Sequence, residues 1–135
     1  MDQSTRLLQA LFFLKKPELG TLWWISNQLW KQESSFVLKD EQKDGTHPGV
    51  SILKNQTGLP EFIPMLLGTS NKNSQALRFK MDNQKNRITY FGTLRPVNCA
   101  LACFSSNMVK PNAPKSKLDE KDCAALANFI RRKLK

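Results

Sequence analysis

Gly45-Thr-His-Pro-Gly-Val-Ser-Ile-Leu53 and Phe62-Ile-Pro-Met-Leu-Leu-Gly-Thr-Ser70 are the two runs on which the fold turns. In Gly49–Leu53 apolar residues alternate with small ones, and Phe62–Leu67 is almost wholly apolar. Both patterns suit short strands at a core. Pro64 has no amide hydrogen, which predicts a sheet edge or a bulge at that residue. Pro48 restricts His47 to an extended conformation at a loop–strand junction. Gly68-Thr69-Ser70 closes the second strand, with Gly68 free to take an unusual turn.

On the N-terminal side, Thr21-Leu-Trp-Trp-Ile-Ser26 is aromatic and β-branched and reads as a strand. Ahead of it, Leu7, Leu8, Leu11, Phe12 and Leu14 recur at helical spacing after a Ser4 or Thr5 cap, and Pro17 and Gly20 end that helix. Trp30 to Leu38 is ambiguous, Phe36-Val-Leu38 having strand character. Lys39 to Gly45 is a polar loop of the kind that carries function on a rigid scaffold. On the C-terminal side, Leu77, Phe79 and Met81 alternate with Arg78 and Lys80, a strand with a basic outer face. Ile88–Phe91 and Cys99–Phe104 are further strands. Residues 107–117, with Pro111 and Pro114, form a linker. Ser116 opens a final amphipathic helix carrying Leu118, Ala125, Leu126, Phe129, Ile130 and Leu134, acidic at its start and ending in Arg131-Arg-Lys133. The expected fold is mainly β in the α+β class: one domain over residues 1–135, a small β-barrel or curled sheet with a helical extension at 1–17 and the C-terminal helix.

The chain has 135 residues, 40% hydrophobic and 24% charged, as expected of one globular domain rather than a disordered chain. No apolar run approaches the ~18 residues of a membrane span. The N-terminus lacks a signal peptide's basic flank and cleavage site. Cys99, Cys103 and Cys123 are an odd number without a secretion signal, so thiols in a reducing compartment are expected and the localisation reads as cytoplasmic. Lys and Arg number 21 against 11 Asp and Glu, a net charge of +10. Residues 1–70 are balanced at 7 and 7, whereas residues 71–135 hold 14 basic and 4 acidic residues. That asymmetry suits a polyanionic partner, with a solvated surface as the plainer explanation.

Zinc-ligand spacing, a glycine-rich phosphate loop and a nucleophile elbow are all lacking in the sequence. Cys99 and Cys103 lie in an apolar run and read as core. His47 beside a basic surface suits a general acid or base near neutral pH, or else a plain turn residue. The hydroxyls of Thr69 and Ser70 suit a phosphate contact, or else an ordinary turn. Trp23, Trp24 and Trp30 suit base stacking, though aromatics in a strand are commonly core.

Gly45-Thr-His-Pro-Gly-Val-Ser-Ile and Phe62-Ile-Pro-Met-Leu-Leu-Gly-Thr-Ser70 together resemble the core of the PemK/MazF toxin family, in which a Gly-x-Arg-Pro sequence opens a strand and the next strand ends in Thr-Ser or Thr. Gly20-Thr-Leu-Trp-Trp-Ile25 is similar to the family's first strand, and Thr93-Leu-Arg-Pro-Val-Asn98 to its Gln-Ile-Arg-Thr-Val-Asp segment. The likeness spans residues 20–135. It implies an SH3-like barrel, a homodimer neutralised by an antitoxin, and cleavage of single-stranded mRNA without metal or other cofactor, through attack of the ribose 2′-hydroxyl on the adjacent phosphate. Carried over, His47 stands at the family's catalytic Arg, Thr69 and Ser70 match its strand-ending hydroxyl, and Arg95 matches the later Arg. Tyr90 and Gly92 stand where some members have an Arg-x-Asp pair. On this reading His47, Thr69 and Ser70 are catalytic, and Arg78, Lys80, Arg87 and Arg95 line the RNA path. The competing expectations are a barrel that binds nucleic acid or a partner without cutting, and a toxin that inhibits a protein target such as gyrase.

Overall fold

The computed structural model describes residues 3, 6–7, 17–29, 45–54, 60–69, 77–80, 88–91, 96–100, 103, 108–111 and 117–133. Seven strands and a helix follow in order: β1 (Leu22–Ser26), β2 (Thr46–Ser51), β3 (Phe62–Thr69), β4 (Leu77–Lys80), β5 (Ile88–Phe91), β6 (Val97–Ala100), β7 (Val109–Pro111) and α1 (Glu120–Lys133). All pairings are antiparallel, in the order β4-β5-β3-β2-β1-β7, with β6 also on β3. The protein is therefore mainly β with a C-terminal helix, as expected. The expected closure into an SH3-like barrel is corrected: among the described residues no ladder joins β4 to β7, and the sheet stays open.

The reason lies in β3, the longest strand. One of its edges is shared: Phe62–Met65 pair with β6, and Gly68–Thr69 pair with β5. The sheet thus divides along β3 into two sub-sheets. Pro64 sits inside this central strand, not at the expected edge. Its carbonyl accepts from Ile52 N–H at 3.0 Å, so its missing amide hydrogen faces the same side, just past the end of β2. No ladder bond to β6 is lost.

Both faces of the sheet are covered. Trp23, Ile25, Ile63, Met65, Leu67, Val97, Cys99 and Val109 form one core cluster with Leu29 and Leu53, and Cys103 and Met108 pack against it. Leu22, Val50, Leu66 and Phe91 form the other with Leu118, Leu126 and Phe129. β1 feeds both, which is why it reads as a continuous apolar run rather than an alternating one. α1 starts where Asp119 Oδ1 accepts from Asp122 N–H at 2.8 Å, so Asp119 is its cap, not Ser116, which lies outside the described residues. Glu120 and Asp122 then complement the helix dipole. Leu118 and Cys123 bracket the cap like a hydrophobic staple, both in or against the second cluster. Burial of Leu126 and Phe129 stabilises the helix on the sheet by about 2 kcal/mol each.

Two expectations shift. The strand read at Cys99–Phe104 is β6 at Val97–Ala100, with Cys103 in a helical turn instead. Val109–Pro111, within the stretch read as a linker, is β7 and pairs with β1. Of the N-terminal extension, residues 3, 6 and 7 are helical, with Leu7 59% exposed. The remainder of that helix and residues 30–44 lie outside the described residues. Among the described residues no helix is long and apolar enough to cross a membrane.

Candidate functional site

His47 is not in a loop but inside β2, directly opposite Ile25. The backbone around it explains the local geometry. Ser51 N–H donates to Thr21 C=O at 2.9 Å, and successive residues of a strand point their amides to opposite sides. Residues 47, 49 and 51 therefore bond β1, and residues 46, 48 and 50 face β3. Residue 48 is proline and offers β3 no donor. The β2–β3 ladder stops there, its last pair being Gly49↔Leu67. Beyond that pair β2 continues with β1 alone, while the end of β3 goes on with β5. The ladder itself forks at this point, β2 bonded onward to β1 and β3 to β5. Carrying the register two residues further sets His47 level with Thr69.

Gly68 supports the other arm of the fork. A Cβ there would lie 2.6 Å from the Phe91 ring and 2.7 Å from the Thr89 methyl. The turn expected at Gly68 is corrected: the residue is in-strand and is glycine because β5 packs against its backbone. Phe91, fully buried, cannot retreat.

Beyond Thr69 a row of directly opposed residues crosses the sheet. Thr69 pairs with Tyr90, and Tyr90 pairs with Arg78. Opposed residues share a face. Arg78 is exposed and Tyr90 is buried to 8% exposure. Lys80 lies two positions along β4, opposite Ile88. Of the expected site residues, the topology thus gathers His47, Thr69 and Arg78 at one level and sets Lys80 beside them. Ser70, Arg87 and Arg95 fall outside the described residues.

The residue that sequence reasoning missed is Asn27. It follows β1, is only 2% exposed, and its N–H donates to Gly45 C=O at 2.9 Å, the next rung of the β1–β2 register. Its side-chain Oδ1 accepts a hydrogen bond from His47 Nδ1. An amide oxygen only accepts, so the proton sits on Nδ1 and the neutral ring carries its lone pair on Nε2. Burial disfavours the imidazolium and lowers the His47 pKa from the ordinary 6.5. At pH 7 the ring is neutral, in one tautomer, and held by a buried partner. Such a group takes up a proton; it is not a standing cation for phosphate. Only the choice of a polar residue immediately after an apolar strand could have flagged Asn27. No family model, curated protein or solved structure matches this chain.

Proposed function

We propose that this protein is a toxin-like endoribonuclease of the PemK/MazF type that cleaves single-stranded mRNA without metal. The observation that carries the reading is the His47–Asn27 pair at the fork, level with Thr69 and in line with Tyr90 and Arg78. In the proposed step the ribose O2′ bonds to the adjacent phosphorus as its proton passes to His47 Nε2. The P–O5′ bond breaks, the departing oxygen takes a proton from water, and the hydroxide left behind takes the proton back from His47. Arg78 holds the phosphate charge, and the hydroxyls of Thr69, the last residue of β3, and of Ser70, next in the chain, serve as donors to the phosphate. The charge excess of residues 71–135 extends the RNA path through Lys80, Arg87 and Arg95. A soluble cytoplasmic homodimer neutralised by an antitoxin completes the proposal.

The test is cleavage of a single-stranded RNA by pure protein in EDTA. His47→Ala should slow it by about 10²- to 10⁴-fold, the usual weight of one general base. Intact RNA with wild type, or an unchanged rate in the variant, would sink the mechanism. Tyr90, buried where some members of the resembling family carry a charged residue, favours a second reading: the same surface binds RNA or a partner without cutting. Salt-sensitive binding with no cleavage would establish it. Toxicity that leaves RNA intact would instead point to a protein target such as gyrase.

A further inference from the structure

We infer that Trp24 and Lys110 form a base-stacking subsite for single-stranded RNA on the helix-bearing side of the sheet, next to the fork. The inference rests on the ribonuclease reading above and adds to it a second place where the substrate is held.

The starting point is an anomaly in β1. Leu22, Trp23 and Ile25 are 0–2% exposed and belong to the core clusters. Among the described residues Trp24 is partly exposed and belongs to neither cluster, although an indole is the largest apolar group the sheet has to bury. Its neighbours are fixed by register: Lys110 of β7 on one side and Pro48 of β2 on the other. Strands lie about 5 Å apart, so this row spans about 10 Å from an exposed ammonium, across an indole, to a proline ring. In the β1–β2 ladder Trp24 and Pro48 form a pair without mutual hydrogen bonds, the closer kind, which draws their side chains together.

An aromatic face with a cation one strand away is the pairing that holds single-stranded nucleic acid, the ring stacking on a base and the cation meeting a phosphate. Pro48 is also the residue that ends the β2–β3 ladder, and His47 precedes it in the chain. His47 itself faces the other side of the sheet, with Ile25, so Trp24 and Lys110 hold RNA beyond the nucleotides that flank the scissile phosphate. Sequence tolerance follows, because every base has a stacking face.

The test uses the full chain on a His47→Ala background, so that RNA survives, with a short mixed-sequence single-stranded RNA as probe. RNA should quench tryptophan fluorescence, and Trp24→Phe should remove most of that quench while retaining affinity. Trp24→Ala should weaken binding by roughly 5- to 100-fold. Lys110→Gln should flatten the fall of log affinity with log salt by about 0.7. Equal affinity, quench and salt slope in all variants would overturn the subsite while leaving cleavage by the wild-type protein, and hence the ribonuclease reading, intact. RNA neither bound nor cut by wild type would overturn both. Equal quenching by poly-glutamate would also overturn it, since that marks an acidic-peptide site.

Discussion

At its Ser51 end β2 is bonded on both sides and sealed. Ser51 is fully buried, its N–H donates to Thr21 C=O, and its hydroxyl donates to Pro17 C=O at 2.9 Å and accepts from Leu53 N–H at 3.2 Å. Thr21 extends the knot, donating through its hydroxyl to Glu18 C=O and accepting from the Trp23 indole, each at 2.8 Å. Gly20 ties in the chain before the helix: its N–H donates to Ser51 C=O and its C=O accepts from Leu118 N–H. At its Thr46 end, five residues away, the same strand keeps β1 as its partner, loses β3 at Pro48, and becomes exposed. One strand thus has one end buried and bonded on both sides and another exposed and bonded on one. The division follows from one missing amide hydrogen and one buried serine.

The knot should yield the largest effect. Gly20 has φ +87°, a conformation costing other residues about 1–2 kcal/mol, and a Cβ there would meet Cys123 Sγ at 2.5 Å. Gly20→Ala should therefore destabilise the protein by about 3 kcal/mol in urea unfolding, strain and overpacking together. Adding Cys123→Ala should recover only the steric part. Full recovery would mean that the backbone conformation carries no cost. Burial raises the Cys123 pKa, against the opposing pull of Lys117 and with smaller support from Asp119, Asp122 and Glu18, so the thiol stays protonated and donates to Leu118 C=O at 3.6 Å.

Ser51→Ala comes next. It strips a buried carbonyl and a buried amide of their partner, a loss of about 1–3 kcal/mol. Thr46→Ala, at the exposed end of the strand, should stay within about 0.5 kcal/mol. If both substitutions shift the unfolding midpoint equally, the two ends of β2 are not different in kind.

That asymmetry marks the boundary of what sequence alone could reveal. β1, β3 and β5 were legible because each buries apolar residues in a row or in alternation, β4 because Leu77, Phe79 and Met81 alternate with Arg78 and Lys80 in the sequence, and the C-terminal helix because Leu126, Phe129 and Ile130 keep a helical period. The start of β2 was not, because Thr46-His-Pro48 resembles a turn. It is a strand because His47 bonds β1, whereas the proline's deficit faces the other way. β7 was hidden because three residues ending in proline show no period, and only the partner β1 makes them a strand. His47 and Arg78 could be picked out by residue type. The line through Thr69, Tyr90 and Arg78 depends on long-range register, and the Asn27–His47 bond joins residues 20 apart; neither has a local signature.

A smaller effect separates the ends by pH. His47 is the only histidine, so between the carboxylate range and neutrality it alone among the side chains titrates in the ordinary way. Its folded pKa lies below the unfolded 6.5, so the unfolded chain binds the proton first. The stability that this neutral ring contributes is present above 6.5, is lost as pH falls through 6.5 toward the folded value, and then levels off. Urea midpoints at pH 7.5 and 5.5 should differ in that direction, and His47→Gln should flatten the difference. A wild-type midpoint that rises on acidification would contradict the burial of the ring. RNA cleavage should persist into mildly acidic buffer, where an ordinary imidazole is already half protonated.

The least costly substitution tests the fork most directly. Pro48→Val places an N–H where β3 can accept it, opposite Gly68 by the continued register. The new hydrogen bond contributes about 1 kcal/mol, and losing proline's restraint on the unfolded chain removes about 0.4–1 kcal/mol, so the stabilities should nearly match. The consequence appears in amide exchange and in activity. The residue-48 amide should exchange slowly, as part of a β2–β3 ladder extended past Gly49↔Leu67, and RNA cleavage should fall as the fork closes over His47 and Thr69. Rapid exchange at residue 48 would show that the β2–β3 ladder stops for a reason other than the proline. Slow exchange with undiminished cleavage would place the substrate's route away from the fork, leaving His47 to be reached from the β1 side alone.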